Sequence, residues 1–234
     1  MLQFASELSY LDRHLTYAKE RIFSFPNAGQ VVIVQDISDV GGTVWDASIV
    51  LSHHLDSLGS AVLQGKSLIE LGAGTALPSI VASRLGMHTV ATDMIHVLPY
   101  SEAAIRSNCD DLVQTGAIRW QELLWGAAGV GLSALKTASK QHDYIVGADI
   151  VYNVEFFDDL LETLLELCPA CDKDQPTVLV CFEQRRRDLT SLWATMELHF
   201  HVELVTSSML DACRRDVNVF LYQLHRKSRD NTGR

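Results

Sequence analysis

SLIELGAGTALP, Ser67 to Pro78, is the stretch on which the reading of the whole chain turns. An apolar run (Leu68, Ile69, Leu71) with one acid inside it meets two glycines, Gly72 and Gly74, spaced by a single residue. A helix-like segment, Ala76 to Leu85, follows at once. A buried strand feeding a glycine turn and a helix N-terminus is how open α/β sheets hold nucleotide-like cofactors. The glycines let backbone approach a ligand where a Cβ would collide. Thr75 is placed to cap the helix, and Pro78 falls in its first turn, where a missing N–H costs little.

The details of the turn select the cofactor. A dinucleotide fingerprint has a third glycine three places after the second, bringing the helix N-terminus to the pyrophosphate. Leu77 stands there instead. Glu70, just before the glycines, would repel phosphates and suits a ligand with an ammonium group. S-adenosylmethionine has an amino group, a sulfonium and no phosphate.

Two later segments extend the pattern. Gly86 to Asp93 (GMHTVATD) reads as a second strand ending in an acid about twenty residues past the turn, where a carboxylate can accept from both ribose hydroxyls. His142 to Tyr152 (HDYIVGADIVY) gives another buried strand running into Ala148 and Asp149. Its carboxyl end is expected beside the first strand, at the switch point where such sheets bind ligands.

The 234 residues suffice for one domain with a sizeable core plus a small appendage. No apolar run approaches the length that crosses a bilayer, and MLQFASELSYLDRHL lacks a signal-peptide layout, so no membrane is expected. A net charge of −10 disfavours nucleic acid as the main partner. The Arg185–Arg187 cluster is a local exception, read as a solvated loop. Five cysteines is an odd number without framework spacing, and Cys168-Pro-Ala-Cys171 closes a helix without a second pair. Neither a zinc site nor a thioredoxin-type pair is expected, and free thiols point to the cytoplasm or nucleus. His53 and His54 read as helix-surface residues, and no metal site is expected.

Residues 1–43 form an N-terminal extension, with a small hairpin about the turn at Pro26 to Gly29. Residues 44–225 form the cofactor domain, and 226–234 a loose tail. Within the domain, TVWDASIVLSHHLDSL (Thr43 to Leu58) reads as a helix, and further helices are expected from Leu98 to about Asn108 and from Asp188 to Leu198. A strand around Ile118 to Leu124 precedes a Gly/Ala-rich loop, Gly126 to Gly131. Val154 to Cys168 is amphipathic, with Phe157, Leu160, Leu161, Leu164 and Cys168 on one face. Thr177 to Phe182 is a continuous apolar strand, and two more strands, Phe200 to Val205 and Val217 to Leu224, are joined by a polar connection. This alternation predicts a mainly parallel α/β sheet with helices on both faces and an antiparallel strand at its end.

The pieces GGTVWDASIVLSHHL, SLIELGAGTALPSIVASRLG, VATD, LLWG, DYIVGADIVYN and VCFEQR together resemble the seven-strand S-adenosylmethionine-dependent methyltransferases. Within them the chain is similar to the methyltransferase-like lysine methyltransferases. The VWDASIVLS and FEQR segments carry a narrower likeness to the member acting on the valosin-containing AAA ATPase. The resemblance spans roughly residues 40–225. It implies a Rossmann-like seven-stranded, mostly parallel sheet with one antiparallel strand, helices on both faces and a small N-terminal β extension. It implies S-adenosyl-L-methionine as cofactor and a lysine of a non-histone protein, such as an ATPase or chaperone, as acceptor. A monomer is expected.

By the same resemblance, Trp45 lies near the methionine end of the cofactor. Gly72, Ala73 and Gly74 form the turn beneath it, Glu70 faces its amino group, and Asp93 takes the ribose hydroxyls. Trp125 packs near the adenine and Ala148 touches the cofactor. Asp149 and Tyr152 are the expected catalytic pair lining the acceptor entrance, with Glu183 to Arg185 on the acceptor side. Asn153 departs from the pattern, since relatives often carry a second aromatic there. Read without the family, Trp45 and Trp125 are core residues, as are Trp120 and Trp193.

Other readings differ in acceptor or class. Enzymes acting on planar amide or exocyclic nitrogens tend to carry an NPPY-type strand end, and ADIVY has no proline. Histidine, arginine or a small metabolite stays open as acceptor. A cofactor-binding module without turnover is the third reading, set against the intact Gly72, Gly74 and Asp93. A dehydrogenase is disfavoured by Leu77 and Glu70.

Overall fold

The structure, a computed structural model, describes residues 16–137, 142–151, 154–170, 175–185 and 190–228. A hairpin comes first, β1 (Glu20–Phe25) and β2 (Gly29–Val34), paired antiparallel and forming a sheet of its own. Then follow α1 (Asp46–Leu58), α2 (Ser60–Leu63), β3 (Ser67–Leu71), α3 (Leu77–Arg84), β4 (His88–Asp93), α4 (Leu98–Gln114) and β5 (Ile118–Glu122). The second half holds α5 (Leu132–Thr137), β6 (Tyr144–Ala148), α6 (Phe157–Leu167), β7 (Thr177–Glu183), α7 (Thr190–His199), β8 (Phe200–Leu204), α8 (Ser208–Val217) and β9 (Val219–Arg226).

Seven strands make one sheet in the order β5-β4-β3-β6-β7-β9-β8. The pairs β5–β4, β4–β3, β3–β6 and β6–β7 are parallel, and β9 is antiparallel to both β7 and β8. The expected Rossmann-like sheet with one antiparallel strand is therefore present. That strand does not lie at the sheet's end, however: it is inserted one place in, and β8 takes the edge. Val219, Leu221 and Leu224 are fully covered in that position. The polar connection expected between the last two strands is the helix α8, whose Leu210 and Cys213 are buried while its arginines face outward. Met209, Leu210, Cys213 and Val217 recur at helical spacing there, a signal the sequence reading passed over.

Strand alternation builds a core on each face of the sheet. Leu68, Val146 and Leu179 point to one side with α1, α3, α4 and the hairpin's Phe23, Phe25, Val31 and Ile33. Ile69, Leu71, Ile145, Val178 and Val180 point to the other, against α5, α6 and α7. The helix α6 buries Phe157, Leu160, Leu161, Leu164 and Leu167, the face its sequence predicted. Strand order reverses between β3 and β6, so the chain leaves their carboxyl ends for α3 on one face and α6 on the other, with a cleft between.

Candidate functional site

The glycine turn after β3 is built as tightly as its sequence suggests. Gly72 and Gly74 have φ of +61° and +52°, which L side chains rarely adopt. A Cβ on Gly72 would come within 2.9 Å of Ile150 and 3.4 Å of Trp125, and one on Gly74 within 2.9 Å of the Gly41 carbonyl oxygen. The turn thus packs directly against the loop leading to Trp45.

Thr75 does not cap α3, in contrast to the expectation. Ala76 occupies the N-cap position in left-handed conformation, with no side-chain cap of its own. The carboxylate of Glu70 supplies the acceptor instead: Oε2 takes the Ser79 N–H at 3.0 Å and the Ser79 hydroxyl at 2.5 Å. Glu70 is buried, and burial pushes its carboxyl up to about 8, against the opposing Ser79 hydrogen bonds. Leu77, where a dinucleotide fold has glycine, is fully buried.

Asp93 ends β4. Its two oxygens accept from the Gly74 N–H and from the Met94 N–H, each at 2.8 Å, which ties the second strand end to the glycine turn. Burial raises its carboxyl above the usual range. Trp45 stands at the N-cap of α1, and its indole N–H donates to the Val40 carbonyl at 3.0 Å. Trp125 follows β5, and the next residue, Gly126, donates its N–H to Thr163 Oγ1 on α6 at 2.8 Å.

Asp149, just past β6, has a left-handed backbone with φ of +54°. Its Oδ1 accepts from the Glu183 N–H at 2.8 Å, and its Oδ2 from Arg185 Nη2 at 3.0 Å. Burial lifts its carboxyl to about 6, with the Arg185 charge pulling in the opposite direction.

Trp45, Glu70, Gly72, Ala73, Gly74, Asp93, Trp125, Ala148 and Asp149 all line one cavity of about 730 Å³. The remaining expected residue, Tyr152, lies outside the described residues, as do Asn153, Cys171, Arg186 and Arg187. Sequence reading missed the near wall of the cavity, formed by Asp39, Val40, Gly41 and Thr43 with Met94, His96 and Val97. The Gly41-Gly42 doublet was its only local signal: a Cβ on Gly41 would fall 2.6 Å from Val97. Arg185 lies exposed in the loop after β7, as its cluster suggested, and it also lines the cavity, on the acceptor side that the resemblance implied.

Comparison with known proteins agrees with this geometry. Residues 28–199 match the family model described as lysine methyltransferase. The chain belongs to the lysine methyltransferase family. It is 33% identical over 210 residues to protein N-lysine methyltransferase METTL21A of Mus musculus, covering 89% of each chain. It is 31% identical over 158 residues to EEF1A lysine methyltransferase 3 of Xenopus tropicalis, covering 65% of each. In fold it is similar to the T. thermophilus 16S rRNA N2 G1207 methyltransferase, solved with AdoMet and guanosine. That likeness has a TM-score of 0.56 at 14% identity and covers 90% of this chain and 51% of the other.

Lysine methyltransferases of this seven-strand fold use S-adenosyl-L-methionine, and the residues present fit that cofactor. The cavity is within the range of about 300–1,000 Å³ typical of small-molecule sites. Gly72 and Gly74 let the turn pack tightly against Ile150, Trp125 and Gly41 while lining the cavity. Asp93 supplies a half-buried carboxylate with lone pairs left for hydroxyl donors, and Glu70 a buried carboxyl that an ammonium group can ionise. Trp125, Ile150 and Leu123 supply the apolar wall for a base.

Proposed function

We propose that this lysine methyltransferase modifies a lysine on a non-histone protein of the ATPase or chaperone type. The observation that carries the reading is Asp149, a buried carboxylate at the carboxyl end of β6, on the wall of the same cavity as the glycine turn. The relatives' printed activities, N-lysine methylation and EEF1A lysine methylation, support a protein acceptor. The likeness to the enzyme acting on the valosin-containing ATPase rests on VWDASIVLS and FEQR alone.

In this reading Gly72 to Gly74, Asp93, Trp125 and Ala148 hold the adenosine part of the cofactor, and Glu70 and Trp45 its methionine part. When bound, the cofactor supplies an electrophilic methyl group on a sulfonium. The acceptor amine must approach in line with a free lone pair, which calls for alignment and exclusion of water more than for acid–base groups. A lysine in water, with a pKa of about 10.4, is almost fully protonated at neutral pH; a dry site lowers that value. Asp149, with Tyr152 from the resemblance, accepts a hydrogen bond from the amine and turns its lone pair to the methyl group. The protein works as a monomer in the cytoplasm or nucleus, where its buried cysteines Cys109, Cys168, Cys181 and Cys213, none of them in a disulfide, stay reduced.

The test is transfer of radiolabelled methyl from S-adenosylmethionine into a methyl-depleted lysate, with an Asp93→Ala control. One or a few protein bands labelled on lysine, and absent with the control, are expected. Label confined to RNA or small molecules would overturn the acceptor assignment.

A further inference from the structure

Arg185 lies on the acceptor side, as the resemblance implied, at the wall of the cavity. Its guanidinium is held by residues from three separate elements. Nη2 donates to Asp149 Oδ2 at 3.0 Å, Nε donates to Glu183 Oε2 at 2.9 Å, and Cζ lies 4.7 Å from the centre of the Trp45 ring. The carboxylates it meets have side chains only 7% and 16% exposed. Planar, with its donors in a fixed fork, guanidinium suits such a cage of ring and carboxylates better than ammonium does.

We propose that Arg185 is the positioning residue of the acceptor site, holding Asp149 ionised and aimed beside Trp45 so that it can only accept a hydrogen bond from the incoming amine. The proposal rests on the reading of Asp149 as the acceptor-side carboxylate. The chemical need is specific. A protonated carboxyl carries an O–H that would donate to the amine's lone pair and tie up the nucleophile, whereas a carboxylate is an acceptor only. Asp149 is buried, and burial alone favours the protonated form.

The groups around Asp149 leave Arg185 as its counter-charge. Glu183 and the Cys181 thiol come from β7, and Asp39, Glu70, Asp93, His96 and Asp159 line the same cavity. The charges that act on Asp149 are those of Arg185, which favours its ionised form, and Glu183, which opposes it. The Glu183 N–H fixes the other carboxylate oxygen, and the Asp149 N–H donates to the Cys181 carbonyl at 2.8 Å, so the residue is held at backbone and side chain alike.

The experiment compares wild type, Arg185→Gln and Arg185→Lys as full chains. The Asp149 carboxyl is titrated by NMR in protein labelled with carbon-13 aspartate, its signal assigned by Asp149→Asn. In wild type the midpoint is expected near the value of about 6 that its surroundings give. Arg185→Gln should raise the midpoint by about one pH unit or more, and the acid limb of the kcat/KM profile should move with it. At pH 7 the ionised fraction, and turnover with it, should fall about twofold for a midpoint of about 7 and about tenfold for one of about 8. Arg185→Lys should fall between the two, keeping the charge and losing the fork. An unchanged midpoint in Arg185→Gln, or a Lys variant no better than Gln, would overturn the proposal. A shifted midpoint in a protein that labels no lysine upholds the clamp and removes the acceptor reading instead.

Discussion

Glu70 links the stability of the fold to the charge of its ligand. With its carboxyl pushed up to about 8, it holds its proton at neutral pH while Oε2 caps α3 through Ser79. The ordinary value is 4.5, so the folded chain binds this proton more tightly than the unfolded chain does. The resulting stability is complete below 4.5 and is lost as pH rises to about 8, at up to about 1.4 kcal/mol per pH unit. Glu70→Gln keeps the acceptor for Ser79 and should flatten that slope, as read from urea melts of the ligand-free protein across the window. Parallel slopes in the two proteins would remove Glu70 as the cause. An ammonium group beside Glu70 draws out the proton, so S-adenosylmethionine binding should release about one proton in this window, and none with Glu70→Gln. Calorimetry in two buffers of different ionisation heat measures the difference.

At the scale of elements, the site is a set of strand ends whose side walls are tied down by neighbouring helices. The Trp125 wall is an example. Gly126 donates its N–H to Thr163 Oγ1, Ala127 donates to Glu162 Oε2 at 3.0 Å, and the Thr163 hydroxyl donates onward to the Asp159 carbonyl at 2.9 Å. Thr163→Val keeps the volume and leaves the Gly126 N–H unpaired, which should cost about 1–3 kcal/mol in denaturant melts. Cofactor affinity, followed by tryptophan fluorescence, should fall with it, and Thr163→Ser should restore both. Equal affinity in wild type and Thr163→Val would show that the wall stands without this bond. The same scale explains what was legible beforehand. β3, its turn and Asp93 are local patterns, in which apolar run, glycine spacing and terminal acid lie within one short segment. The cap on α3 was misassigned because Glu70 reaches Ser79 across nine positions, while Thr75 merely looked right in sequence. The insertion of β9, the clamp on Asp149 and the Gly41 wall all join segments far apart in the chain. No local period records them.

At the scale of the whole molecule, the hairpin raises the question of how many units melt. It pairs with no strand of the main sheet among the described residues, which suggests an appendage. Its buried faces argue otherwise. Phe23, Phe25, Val31 and Ile33 share one cluster with α1, α3 and α4. Polar ties add to this, among them the Arg21 guanidinium donating to the Val44 carbonyl at 3.0 Å. Asp56 accepts the Asn27 and Ala28 N–H groups at 3.1 and 2.7 Å, and Arg84 donates to the Gln30 carbonyl. Asn108 pairs with both backbone groups of Val32, at 2.9 and 2.8 Å, as a strand neighbour would. This last tie sits where α4 bends, with Cys109 at φ of −145° and ψ of 33°, so the kink brings the amide to the hairpin's edge. A hairpin bound in this way has little to gain by opening alone, since leaving would strip four apolar side chains from a shared core. Hairpin and sheet are therefore expected to unfold in one transition. Asn108→Ala should lower the stability of the whole protein by about 1–3 kcal/mol without splitting that transition. Hydrogen exchange decides the matter: the Val31 and Ile33 amides should be as protected as those of β3 and β4, and in the variant all should lose protection together. Hairpin amides that exchange at far lower free energy than the sheet would make the N-terminal segment a separate unit resting on the domain.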